Sequence, residues 1–180
     1  RRSSDLQKPS LLGDAIGRGD YVLLITPIDN EAPDGRMILP QVMAIRDVLD
    51  NDAINIVLKE DQVEKFFRSG TIKPKLAITD SQVFEKMKDI VPEDVPFTSF
   101  SIMLAKFRGD FQAYLDGTPR IDDLQDGDRI LILESCTHQV SCEDIGRIKL
   151  PNWLEEFTGK KLEFEIVAGL SNLPRDIHDY

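Results

Sequence analysis

Both cysteines of this chain and one of its two histidines fall on a single short stretch, Cys136-Thr-His138-Gln-Val-Ser-Cys142-Glu143-Asp144. Thiolate and imidazole are soft or borderline ligands that suit iron–sulfur clusters and zinc. A Cys-x-His pair on a loop can bring two ligands to one metal or cluster. The same residues have plainer readings, because free cysteine is often a small buried hydrophobe and His138 can simply satisfy a hydrogen bond. Cys136 and His138 could also act as nucleophile and base, although neighbouring positions on one loop rarely reach the needed geometry. Spacing alone leaves these choices open.

Two other loops carry polar side chains where open α/β sheets hold ligands, beyond the carboxyl ends of strands. Asp29-Asn-Glu-Ala-Pro-Asp-Gly-Arg36 offers Asp29, Glu31 and Arg36 for a ligand or a subunit contact. Its Pro33 and Gly35 also read as the turn residues of a solvated connection, which is the simpler account. Thr79-Asp80-Ser81-Gln82 lacks the glycines of a phosphate cradle, so Asp80 or Ser81 reads as a helix N-cap. No G-x-x-x-x-G-K-[ST] loop, G-x-G-x-x-G turn or G-x-S-x-G elbow occurs in the chain.

The elements around these loops alternate between short apolar runs and amphipathic stretches. Tyr21–Ile28, Ile54–Leu58, Leu76–Thr79 and Val95–Thr98 read as strands. Helices are expected from Pro40, with Val42, Ile45 and Leu49 marking one face, then over Glu60–Arg68 and from Asp80 or Ser81 to about Val91. Beyond residues 98–100 the pattern predicts helices through Phe107, over Gly109–Leu115, around Cys142–Arg147 and over Pro151–Phe157. Strands are predicted at Arg129–Glu134 and Leu162–Val167. Strands alternating with helices imply βαβ units. The expected fold is α/β, with two small domains, each a parallel β-sheet flanked by helices. Residues 1–12 read as a linker or tail.

Composition sets limits. The 180 residues carry 32 acidic against 22 basic side chains, a formal charge of −10, with no basic cluster. Neither nucleic acid nor an anionic membrane is an expected partner. No stretch nears the roughly 20 apolar residues that span a bilayer. Two cysteines are too few for a disulfide scaffold, which favours a reducing cytoplasmic setting. The first residue is Arg1 rather than Met, as expected of a piece of a longer protein.

Several distinctive stretches occur in order: Glu31-Ala-Pro-Asp-Gly-Arg-Met-Ile-Leu-Pro-Gln41, Ile78-Thr-Asp-Ser-Gln-Val-Phe84, and Cys136-Thr-His138 followed by Asp144-Ile-Gly-Arg-Ile-Lys-Leu-Pro-Asn-Trp153. In these the chain resembles HydF, the GTPase family that matures FeFe-hydrogenase, from about Gly13 to its end. The resemblance implies a dimerisation domain over residues 13–98, whose parallel sheet joins that of a second copy. It implies an iron–sulfur cluster-binding domain over residues 99–180, incomplete at its C-terminal end, and a GTP-binding domain absent from this sequence, so no enzyme activity in the fragment itself. Cys136 aligns with the first cysteine of the family's 4Fe-4S motif. The completing Cys-x-x-Cys would lie past Tyr180, and Cys142 falls outside the motif. His138 and Glu143 are candidates for an exchangeable metal ligand, one that lets a diiron precursor attach as cargo. The implied function is a homodimeric scaffold or carrier that receives the diiron subcluster from radical-SAM maturases and delivers it to the FeFe-hydrogenase apo-protein. A small α/β thiol or hydrolytic enzyme using Cys136 and His138, or a purely structural interaction module, are the other functions compatible with the residues.

Overall fold

A computed structural model describes residues 10–28, 35–134, 145–168, 174 and 180. The chain divides into two compact units, with the division between Phe111 and Gln112.

The first unit is a four-stranded parallel sheet with helices on both faces. Its elements run β1 (Tyr21–Ile25), α1 (Leu39–Asp50), β2 (Ile54–Leu58), α2 (Val63–Ser69), β3 (Leu76–Thr79), α3 (Phe84–Lys88), β4 (Phe97–Ser99) and α4 (Phe100–Arg108). The strands lie in the order β2-β1-β3-β4, and each neighbouring pair is parallel. The most apolar strands take the centre: Val22 to Ile25 of β1 and all of β3 are buried. Side chains alternate across a strand, and the two cores divide accordingly. Val22 and Leu24 pack with Ala44 and Val48 of α1, Phe100 and Met103 of α4, and Leu11, Leu12 and Ile16. Leu23 and Ile25 face the other way, onto Val63 of α2, Met87 of α3, Val91 and Val95. Each fully buried leucine in these layers contributes roughly 2 kcal/mol of transfer free energy.

Local chemistry sets the helix ends. Pro40 stands in the first turn of α1, where its missing N–H costs nothing. Asp80 accepts from the Gln82 N–H at 3.0 Å, and Ser99 Oγ accepts from the Ile102 N–H at 3.3 Å, as caps do. Gly70 closes α2 with φ 61°, a left-handed conformation that favours glycine.

The second unit contains α5 (Phe111–Gly117), whose first residue belongs to the first unit, then a 3-10 segment over Thr118–Asp123 and β5 (Arg129–Glu134). It continues with a π-helical turn over Ile145–Lys149, α6 (Leu150–Thr158) and β6 (Glu163–Ala168). β5 and β6 pair in parallel, from Arg129 opposite Glu163 to Glu134 opposite Ala168. Arg129 stacks over the Tyr180 ring, 4.5 Å from its centroid.

The α/β class and the two parallel sheets agree with the sequence pattern. Three local expectations need correction. The buried face of α1 is Gln41, Ala44 and Val48, whereas Val42 and Leu49 are exposed and Ile45 is partly buried. The continuous run from Tyr21 ends as a strand at Ile25, since Pro27 cannot donate to a ladder. α3 stops at Lys88, short of Val91. The division between units also falls later than residues 98–100, because α4 packs on α1 and completes the first core with Phe100 and Met103.

Candidate functional site

Cys136, His138, Cys142 and Glu143 lie outside the described residues, as do Asp29 and Glu31. The elements that flank the cysteine stretch are described. β5 runs to Glu134 at the carboxyl end of the small parallel sheet, and the chain continues from Ile145 into the π-helical turn that leads to α6. Among the described residues, no group of three or more His, Cys, Asp or Glu is placed to hold a metal ion.

The carboxyl end of β1 opens into a cavity of about 230 Å³ lined by Thr26, Ile28, Arg36, Ile38, Gln41 and Val57, among others. Among the described residues of the acidic loop, Arg36 reaches this wall. Gln41 is 2% exposed, and its Nε2 has no hydrogen-bond partner among the described residues. An unsatisfied buried amide is uncommon and costs about 1–3 kcal/mol. Sequence reading missed it, since Gln in a helix normally faces water. Reading also missed Asp47. Its carboxylate accepts from Ser10 Oγ at 2.9 Å, Leu11 N–H at 3.0 Å and Leu12 N–H at 2.9 Å, and so ties the segment entering the domain to α1.

Two surfaces stand out for association. The first is the outer edge of β2. Ile54 N–H donates to Asp20 and Leu58 C=O accepts from Thr26, so residues 54, 56 and 58 turn their backbone groups toward β1. By alternation, the N–H and C=O groups of Asn55 and Val57 point away from the sheet. Every side chain of this edge is apolar except Asn55, and Ile54 and Val57 are exposed. Sheet edges are usually blunted by charge, proline or a covering segment. This one carries none of these within the strand.

The second surface is a groove in the second unit, with a volume of about 570 Å³, between α5 with the 3-10 segment and α6. Leu115, Pro119 and Ile121 form one wall, and Leu150, Trp153, Leu154 and Phe157 the other. The α6 residues follow the i, i+3, i+4, i+7 spacing of one helical face. That face is open: Trp153 is 48% exposed and Phe157 71%. Among the described lining residues, Asp122 is the charged one.

Titration shifts lie elsewhere. Lys73, bonded to Asp94 at 2.5 Å, holds the Asp94 carboxyl below its ordinary range by hydrogen bond and charge, and Glu85 raises Lys88 in the same way. Both are surface pairs.

An α/β chain with an apolar sheet edge left uncovered by the described residues of one unit, and an open apolar groove in the other, has the surfaces of a self-associating protein. Residues 11–109 match the family model described as the hydrogen maturase F dimerization domain, and residues 112–180 match that of the hydrogen maturase F tetramerization domain. The chain belongs to the hydrogen maturase F family. No curated protein matches it. The meeting of the two matched regions, between residues 109 and 112, coincides with the structural division at Phe111. These are oligomerisation domains of a hydrogenase maturase and not catalytic ones. Among the described residues, no helix is long and apolar enough to cross a membrane.

Proposed function

We propose that this chain is the assembly and cluster-carrying part of a maturation scaffold, which holds a 4Fe-4S cluster and passes a diiron subcluster to the FeFe-hydrogenase apo-protein. The observation that carries the reading is the pairing of a dimerization and a tetramerization match with an exposed, apolar strand edge in the first unit. Cys136 is the residue that would anchor the cluster, with His138 and Glu143 as displaceable ligands and further cysteines supplied beyond Tyr180. Its position in sequence, directly after a parallel strand, supports this, because ligands of open α/β sheets gather at that end. Imidazole and carboxylate are poorer partners for such iron than thiolate, which suits a ligand that must yield to incoming cargo. Radical-SAM maturases would supply that cargo in the reducing cytoplasm, and GTP would act in a separate domain.

The dimer would form across the edge of β2. A two-fold axis through Ile56 sets the two strands antiparallel, with Asn55 opposite Val57 of the second copy and Ile56 opposite Ile56. Both outward-facing residues then form hydrogen-bonded pairs, and the parallel sheets of two copies become one.

Anaerobic reconstitution of full-length protein with iron and sulfide tests the cluster. A charge-transfer band in the visible that disappears in Cys136→Ser is the expected result. A band that persists in that variant refutes the anchor. Substituting both His138 and Glu143 should leave the band but weaken hydrogenase activation. Full activation by that double variant would remove the displaceable-ligand role.

A further inference from the structure

The buried polar side chains among the described residues are Thr26, Gln41, Thr79 and Ser99. All four gather at one end of the first unit's sheet: Thr26 follows β1, Thr79 and Ser99 end β3 and β4, and Gln41 stands in the first turn of α1. Open parallel sheets hold ligands at this end, and the strand order here reverses at β1, which has β2 on one side and β3 on the other. Three of the four side chains have partners. Thr26 Oγ1 donates to the Leu58 carbonyl at 3.4 Å, Thr79 Oγ1 donates to that of Ile25 at 3.5 Å, and Ser99 Oγ caps α4. Gln41 is the exception, since its Nε2 bonds to nothing among the described residues. Two backbone acceptors beside it are already engaged twice over. Leu58 C=O also accepts from Thr26 N–H, and Ile38 C=O accepts from the N–H groups of Gln41 and Val42.

We infer that the cavity at the carboxyl end of β1 binds a small organic carboxylate with an apolar body, its head group held by Gln41 Nε2 and the Arg36 guanidinium at the N-terminus of α1. The inference stands apart from the cluster and assembly readings and adds a ligand site to the first unit. Three features of one cavity select a carboxylate. The 12-residue helix α1 begins without a side-chain cap, because Ile38 has no acceptor to offer, and its first turn holds no acidic residue. The positive end of its dipole therefore has no anion within the helix, and an anion is favoured there. Gln41 adds a buried donor without a described partner, and a turn about its last side-chain bond, a soft torsion, presents the NH2 group to the cavity. Arg36, exposed in the same lining, adds the cation.

The remainder of the cavity sets the body of the ligand. Pro27, Ile28, Met37, Ile38 and Val57 make the other described lining apolar apart from the Thr26 hydroxyl, whose proton already goes to Leu58. A phosphate at a helix start calls for glycines that let the backbone approach, and no glycine is among the described lining residues. At about 230 Å³ the cavity is smaller than sites for drug-sized molecules, which run to roughly 300–1,000 Å³, so the apolar body is short.

The test is a titration of the full chain with hexanoate, read by calorimetry and by the side-chain amide resonances of Gln41 in heteronuclear NMR. Hexanol serves as the uncharged control and inorganic phosphate as the anion without a tail. Hexanoate should saturate one site per protomer in the millimolar range or below, shifting the Gln41 NH2 resonances and the backbone amides of Thr26 and Val57. Hexanol and phosphate should each bind at least about tenfold more weakly, since one lacks the charge-assisted hydrogen bonds and the other the apolar contact. Gln41→Met and Arg36→Ala should each weaken hexanoate about tenfold or more while keeping the circular dichroism of the wild type. Arg36 is exposed, so that variant still decides the matter if Gln41→Met fails to fold. Gln41 resonances that show no saturable shift across the millimolar range overturn the site, as does undiminished hexanoate affinity in Arg36→Ala and every folded variant of Gln41. Hexanol or phosphate binding as tightly as hexanoate overturns the assignment of a carboxylate with an apolar body.

Discussion

Proline can distinguish the two backbone directions of β2. Val57 N–H points away from β1, so Val57→Pro removes no hydrogen bond from the first unit's own sheet. In the proposed dimer, Val57 N–H donates to the Asn55 carbonyl of the second copy. The substitution therefore deletes two intersubunit hydrogen bonds and strands two carbonyl groups at the seam. At about 1–3 kcal/mol for each unsatisfied group, the dimer loses roughly 2–6 kcal/mol. With 1.4 kcal/mol per decade, its dissociation constant rises between about 30-fold and 20,000-fold. Ile56→Pro is the opposite case, since Ile56 shares the inward parity of Ile54 and Leu58. It breaks the ladder to β1 and should lower the unfolding free energy of the isolated protomer by about 1–3 kcal/mol. Sedimentation velocity over a concentration series measures the first effect, and urea unfolding followed by far-ultraviolet circular dichroism measures the second. A Val57→Pro dimer weakened less than tenfold would refute the seam, and so would a variant whose protomer unfolds as easily as Ile56→Pro.

Two further outcomes follow from the buried polar groups of the first unit. Asp47→Ala should cost about 2–4 kcal/mol in urea unfolding, because the Leu11 and Leu12 N–H groups lose a charged acceptor beside Leu12, which is fully buried. Exchange at those two amides should accelerate with it, and a loss under 0.5 kcal/mol would show that the clamp holds nothing. Gln41→Met replaces an amide whose Nε2 has no partner among the described residues. It should leave stability unchanged or raise it by up to about 1 kcal/mol in the same assay, since an apolar group of similar shape removes an unmet desolvation cost. A marked loss in that variant would reveal a bond to Gln41 absent from the structure.

Much of the fold was legible along the chain. Tyr21 to Ile25 announces a central strand, since an uninterrupted apolar run suits burial on both faces of a parallel sheet. Asp80, Pro40 and Gly70 declare their turns through chemistry confined to a few neighbours. The ordered stretches from Glu31 to Trp153 pointed to the maturase family that residues 11–180 match. The groove was half legible: the spacing of Leu150, Trp153, Leu154 and Phe157 predicts an apolar face, and the ordinary expectation is that such a face is buried. Its exposure belongs to the folded unit, where Trp153 and Phe157 stand open to solvent.

What tertiary structure alone decided has a common cause. Periodicity reports which side chains share a face, whereas the order of strands determines which face is covered. α1 spans β1 and the edge strand β2, so its covered side is Ala44 and Val48, and Val42 and Leu49 remain outside. The same order leaves Asn55 and Val57 with outward backbone groups, although β2 is as apolar as the central strands. α4 joins the first unit because Phe100 and Met103 fill the core beside α1, a long-range fit that no local spacing encodes. Asp47 likewise becomes an acceptor only when the chain at Ser10–Leu12 returns to meet it. Local propensity is a property of neighbours in sequence; edge, cover and clamp depend on neighbours in space.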